Sequence, residues 1–171
     1  MNPFRFLLPV ILISCGPIAL AQSDTAKPFE RLKALAGTWE GPATTTPPLP
    51  QFETKSLTVS LRVTSMGHTL MHEMKSEGHA DDPITMFYLD GDKLFLTHYC
   101  DADNRPRMTG RLSDDGKTLD FDFLDVAGNL KYGHMQHVAI TFVDANHHIE
   151  EWTFALPDKT VRAKFDLTRT K

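Results

Sequence analysis

From Glu53 to the C-terminus, apolar side chains recur at every second position, and no long segment with a helical period interrupts them. That pattern describes a strand with one face buried and one face wet. Leu57, Val59, Leu61 and Val63 alternate with Thr58, Ser60, Arg62 and Thr64. The same reading predicts strands at Thr69–Glu77, Ile84–Leu89, Lys93–Cys100, Pro106–Leu112, Thr118–Val126, Gln136–Val143, Ile149–Leu156 and Val161–Thr168. Leu119, Phe121 and Phe123 share one predicted face, as do Val161, Ala163, Phe165 and Leu167. Turn chemistry separates the segments: Met66-Gly67, Asp81-Asp82-Pro83, Asp90-Gly91-Asp92, Ser113-Asp114-Asp115-Gly116 and Asp144-Ala145-Asn146-His147.

With a segment at Trp39, the count is about ten short strands. Parallel strands need long crossovers, and none is present, so a βαβ fold is excluded. The expected fold class is all-β: one antiparallel up-and-down barrel, closed so that no edge is left exposed. A barrel of eight to ten strands has room for side chains plus a small ligand.

Ahead of Glu53 the sequence changes character. Pro28–Gly37 is predicted as one short helix, with Pro28 at its first position, Gly37 at its left-handed stop, and Phe29, Leu32 and Leu35 forming an apolar stripe. It is too short to stand alone and is expected to plug a larger body. Pro42 through Pro50, with its prolines and threonines, is predicted as an extended loop outside any ladder.

At the N-terminus, Arg5 precedes a short apolar run, and Ala19-Leu20-Ala21 has the small-x-small form of a signal-peptidase site. Residues 1–21 are expected to be an export signal and residues 22–171 the mature domain, in the periplasm or secreted. The apolar run is too short for a membrane span of about 20 residues. Leu12-Ile13-Ser14-Cys15 resembles a lipobox, which gives lipid anchoring through Cys15 as the second reading. Only Arg5 of the 18 Lys and Arg, and none of the 22 Asp and Glu, lies in the signal, so the mature charge is one unit more negative than the full chain's −4. Such a balance gives no reason to bind nucleic acid. Cys15 departs with the signal, leaving Cys100 single and an intrachain disulfide excluded.

Leu32–Gly41 (Leu-x-x-Leu-Ala-Gly-Thr-Trp-Glu-Gly) resembles the opening of calycin-type barrels, and within them nitrobindin-like barrels. Phe87–Met108 is similar to exported bacterial members of that group. The resemblance implies ten antiparallel strands, with the tryptophan packed across the closed end. It also implies haem b held by a histidine on the last strand. Val161–Lys171 has no histidine, so that ligand is not carried over and no cofactor is expected.

All eight histidines lie in the mature part. His72 alternates with Leu70 and Met74, and His98 and Cys100 alternate with Leu94 and Leu96, which points them inward. Glu150 is in phase with Trp152 and Phe154. A buried carboxylate beside imidazoles must be paired or neutralised, so this set reads as a ligand's polar anchor, a metal site, an acid–base pair or satisfied core residues. Arg105 and Arg107 flank Pro106 and read first as solvated, second as contacts to an anionic ligand at a barrel mouth. The cavity candidates are therefore His72, His98, Glu150, Trp152 and Arg107. His147-His148 is expected at the surface of a turn, and His134 and His137 face opposite ways, so no metal site is expected. A Ser-centred elbow, a phosphate loop and a dinucleotide fingerprint are all absent from the sequence. Three classes follow: a module binding a small, mostly apolar molecule, which leads; an enzyme using His72, His98 or Glu150; and a solidly packed envelope protein that binds partners.

Overall fold

The computed structural model describes residues 26–171, which leaves the expected signal and the Cys15 motif outside the described part. After helix α1 (Ala26–Lys33) come ten strands: β1 (Gly37–Thr46), β2 (Thr54–Thr64), β3 (Thr69–Ser76), β4 (Ile84–Asp90), β5 (Lys93–Tyr99), β6 (Asn104–Leu112), β7 (Thr118–Gly128), β8 (His134–Asp144), β9 (His147–Ala155) and β10 (Thr160–Arg169). Every strand pairs antiparallel with its sequence neighbour, and β10 returns to β1, so the sheet is the expected closed barrel. Among the described residues no helix is long and apolar enough to cross a membrane.

An up-and-down barrel puts alternate connections at opposite ends. The β2–β3, β4–β5, β6–β7 and β8–β9 turns share one end with α1, which closes it. Phe29, Leu32 and Leu35 are buried there. The last helical turn tightens, with Leu35 and Ala36 N–H donating to the Leu32 and Lys33 carbonyls, so α1 ends before the expected Gly37. Arg31 donates to the Gly116 carbonyl and lies over the Phe142 ring, tying α1 to the β6–β7 turn and to β8. Trp39 is fully buried beneath, its indole N–H donating to the Leu35 carbonyl at 2.8 Å. Arg169, unmarked in the sequence, locks this end: it donates to the Ala36 and Ala34 carbonyls at 2.7 and 3.0 Å and lies 4.1 Å from the Trp39 ring centroid.

Two expectations are corrected. The stretch from Pro42 is not wholly loop, because β1 continues to Thr46. Its register shifts between Gly41 and Ala43, and a proline at such a bulge removes no ladder hydrogen bond. A single 3-10 turn follows at Pro50–Phe52. Phe123 is not on the buried face: it is 38% exposed, whereas Leu119 and Phe121 are enclosed. β7 pairs with β8 only as far as Asp122, so beyond it the β6–β7 ribbon leaves the barrel wall.

Close approach of the chain explains one glycine. A Cβ on Gly41 would collide with the Asp166 carbonyl oxygen and crowd the Leu167 Cα at 3.2 Å, both backbone atoms of the facing β10 strand. Gly41→Ala is expected to destabilise the barrel by about 1–3 kcal/mol through forced separation of β1 and β10. A denaturation midpoint equal to wild type would show that the two strands can part without loss.

Candidate functional site

The opposite end of the barrel is open. The β3–β4, β5–β6 and β9–β10 connections ring a cavity of about 420 Å³, with the 3-10 turn bearing Phe52 beside them. Its walls are mainly apolar: Leu57, Met74, Phe154, Leu156, Val161 and Phe165. All but Leu156, which follows β9, point inward because strand alternation puts them there, on β2, β3, β9 and β10. Trp152 and His98 line its depth.

Beneath that level lies a polar strut. His72 on β3 and Glu150 on β9 come from nearly opposite walls and meet inside the barrel, with Nε2 3.0 and 3.1 Å from the two carboxylate oxygens. His148 Nε2 approaches Oε1 at 2.9 Å, and the Trp152 indole N–H donates to Oε2 at 2.8 Å. All three polar partners, His72, His148 and Glu150, are 0% exposed. Burial by itself would raise the Glu150 carboxyl, but the His72 charge and the hydrogen bonds from His148 and His72 outweigh it. They hold the group well below the usual carboxylate range. One carboxylate thus answers three nitrogens, while Nδ1 of each histidine has no partner. The strut divides the interior. Toward α1 the space is filled, with Trp39 edge-on to His148 at 4.2 Å; toward the mouth it is open.

His98 behaves differently from the strut histidines. Its Nδ1 shares a 2.8 Å hydrogen bond with the Thr85 hydroxyl across the β4–β5 pair. Burial pushes the imidazole down to about 3, with neighbouring His72 adding to the shift, so His98 is neutral at physiological pH. Its ring and that of His72 both lie 5.4 Å from the Trp152 ring.

The sequence-derived candidates therefore part company. His98 and Trp152 stand on the cavity wall, whereas His72 and Glu150 are enclosed behind it and line no part of it. Arg107 points away: Asn104, Pro106 and Met108 face inward on β6, which turns Arg107 out to an ion pair with Asp125. His148 corrects the surface reading. The β8–β9 turn is only Ala145-Asn146, so β9 begins at His147 and places His148 on the inward face of Glu150 and Trp152. His147 points outward to Asp166 at 2.8 Å. Thr85 carried no signal of its own in the sequence.

At the rim, Asp81, Cys100 and Asp101 have ligand atoms within 4.8 Å of one another, the one such cluster with metal spacing among the described residues. Burial raises both the Asp81 carboxyl and the Cys100 thiol toward their protonated forms, and the Asp101 N–H donates to Asp81. Protons compete with a cation there.

No family model matches the chain. No curated protein matches it either. Among solved structures it is similar to the crystal structure of Rv2717c from M. tuberculosis, with a TM-score of 0.60 at 10% sequence identity, over 84% of this chain and 97% of that one. At that identity the likeness is one of barrel fold.

Proposed function

We propose that this chain is an exported, calycin-like binding protein that holds a small, mostly apolar molecule in the open half of its barrel. The observation that carries the reading is the cavity itself: about 420 Å³, open at one end and walled by aliphatic and aromatic side chains. That lies within the usual size of small-ligand sites, roughly 300–1,000 Å³. A barrel packed solid for partner binding would have no use for it. Acid–base catalysis by His72 or Glu150 is disfavoured by their enclosure, since they meet each other but not the cavity.

Haem in the nitrobindin manner does not fit the residues present. The β10 side chains on the cavity wall are Val161, Ala163 and Phe165, which offer iron no ligand. The reading therefore includes no resident cofactor, and the proposed occupant is mostly apolar, as the walls are.

Native mass spectrometry of protein recovered from its own periplasm tests both export and binding. The expected result is a chain beginning at Gln22 with an additional small-molecule mass that organic solvent removes. A diacylglyceryl-modified Cys15 would overturn soluble export. Bare protein that also fails to enhance the fluorescence of N-phenyl-1-naphthylamine would overturn binding.

A further inference from the structure

The cavity is apolar, yet it presents one deep hydrogen-bonding atom that a ligand can reach. His98 is 1% exposed and lines the cavity. Thr85 occupies its Nδ1, while Nε2 makes no hydrogen bond among the described residues and is not fully enclosed. Ser76 Oγ on the same wall is also unpartnered, but it is enclosed. The Thr45 hydroxyl nearer the mouth is taken by Glu53 and the Leu49 N–H. A buried polar atom facing an apolar space calls for a partner carried by whatever fills that space.

Charge narrows the partner. Lys75, the one lysine on the wall among the described residues, is at the mouth, 56% exposed, and lies within 3.6 and 3.7 Å of Glu73 and Asp82 carboxylates. Among the described residues no arginine lines the cavity, and Asp81 and Asp101 stand at the rim. Behind the deep wall, the Trp152 N–H and His72 Nε2 are both already engaged with the Glu150 carboxylate, so neither is left to meet a ligand's head. A carboxylate head placed beside His98 would meet one neutral imidazole nitrogen in exchange for its hydration, and that does not balance. A hydroxyl head does balance. It both donates and accepts, so it satisfies Nε2 whether Thr85 donates to Nδ1 or accepts from it.

We infer that the cavity selects an uncharged, hydroxyl-bearing amphiphile, inserted head first onto His98 Nε2, over the carboxylate of the same skeleton. The inference rests on the cavity being the binding site, and the two fail differently. The experiment is displacement of N-phenyl-1-naphthylamine at pH 7.5 by 1-decanol, by decanoate, and by 1-chlorodecane, which has the chain without the hydroxyl. Decanol is expected to displace the probe about tenfold more tightly than either competitor, which is the value of one buried hydrogen bond. His98→Leu should remove that preference by weakening decanol, and His98→Gln, which keeps an uncharged hydrogen-bonding group, should retain it. If His98→Leu does not fold, the wild-type order of decanol against chlorodecane decides. Equal or tighter binding of decanoate overturns the inference while leaving the cavity as the site. So does a decanol preference that survives in folded His98→Leu. A probe that never binds overturns both.

Discussion

Glu150→Ala is expected to lower stability by about 3–5 kcal/mol, the range for removing one member of a buried charged network. The loss comes mainly from what stays behind. His72 Nε2, His148 Nε2 and the Trp152 indole N–H all converge on this carboxylate, and none has another partner in the enclosed interior. For a domain of this size that is a fall of roughly 10–15 °C in Tm. Glu150→Gln keeps an acceptor oxygen and should lose less. The pH dependence has a definite sign. The folded carboxyl sits below its unfolded value of 4.5, so its contribution is complete above about pH 4.5. It is lost progressively as pH falls from there toward the folded value. The gap between wild type and Glu150→Gln should therefore narrow on acidification below about pH 4.5. Melts at pH 7.5 and pH 3.5 check it. A gap that widens toward acid would mean the carboxylate is not the ionised partner of these rings.

The barrel was legible because alternation is a local property that a closed antiparallel sheet obeys nearly everywhere. His72, His98, Glu150 and Trp152 all took their inward orientation from it. Hairpin register was not legible: the turn read as Asp90-Gly91-Asp92 is only Gly91-Asp92, and the resulting Asp90–Lys93 pair sets Thr85 opposite His98 rather than Thr97. His148 was within reach of alternation, since it continues the phase of Glu150 and Trp152 by two residues. The adjacent Asp144–His147 turn chemistry concealed it by suggesting a later strand start. Arg107 was hidden for another reason: the inward set on β6 includes Asn104 and Pro106, so hydrophobicity does not mark the face. Asn104 is buried because its amide donates to the Asn129 and Gly133 carbonyls at 2.7 Å. What no local pattern contains is the meeting of His72 and Glu150, 78 residues apart and on different walls. That contact decides which half of the interior is filled and which half is cavity, so the sequence named the polar residues without saying which of them a ligand meets.

Trp39→Ala is expected to cost about 3–5 kcal/mol, and to open the end of the barrel opposite the cavity. The indole is fully buried and fills the closed end. It is gripped from three sides: the Leu35 carbonyl accepts its N–H at 2.8 Å, the Arg169 guanidinium lies 4.1 Å from its centroid, and the His148 ring meets it edge-on at 4.2 Å. Truncation removes the ring's transfer energy, leaves a void that the backbone contacts around Gly41 cannot close, and strands the Leu35 carbonyl. It also frees Arg169, which holds the end of α1 through the Ala34 and Ala36 carbonyls. A helix of eight residues has little stability of its own, so α1 should detach before the barrel melts. Limited trypsin digestion should then cut the variant after Arg31 and Lys33 under conditions that leave wild type intact. Trp39→Phe, which keeps most of the volume and loses the hydrogen bond, should resist cleavage and lose about 1–2 kcal/mol. A loss below about 1 kcal/mol for Trp39→Ala, with α1 still protected, would mean that Arg169 and the Phe29–Leu32–Leu35 stripe hold the helix without the ring.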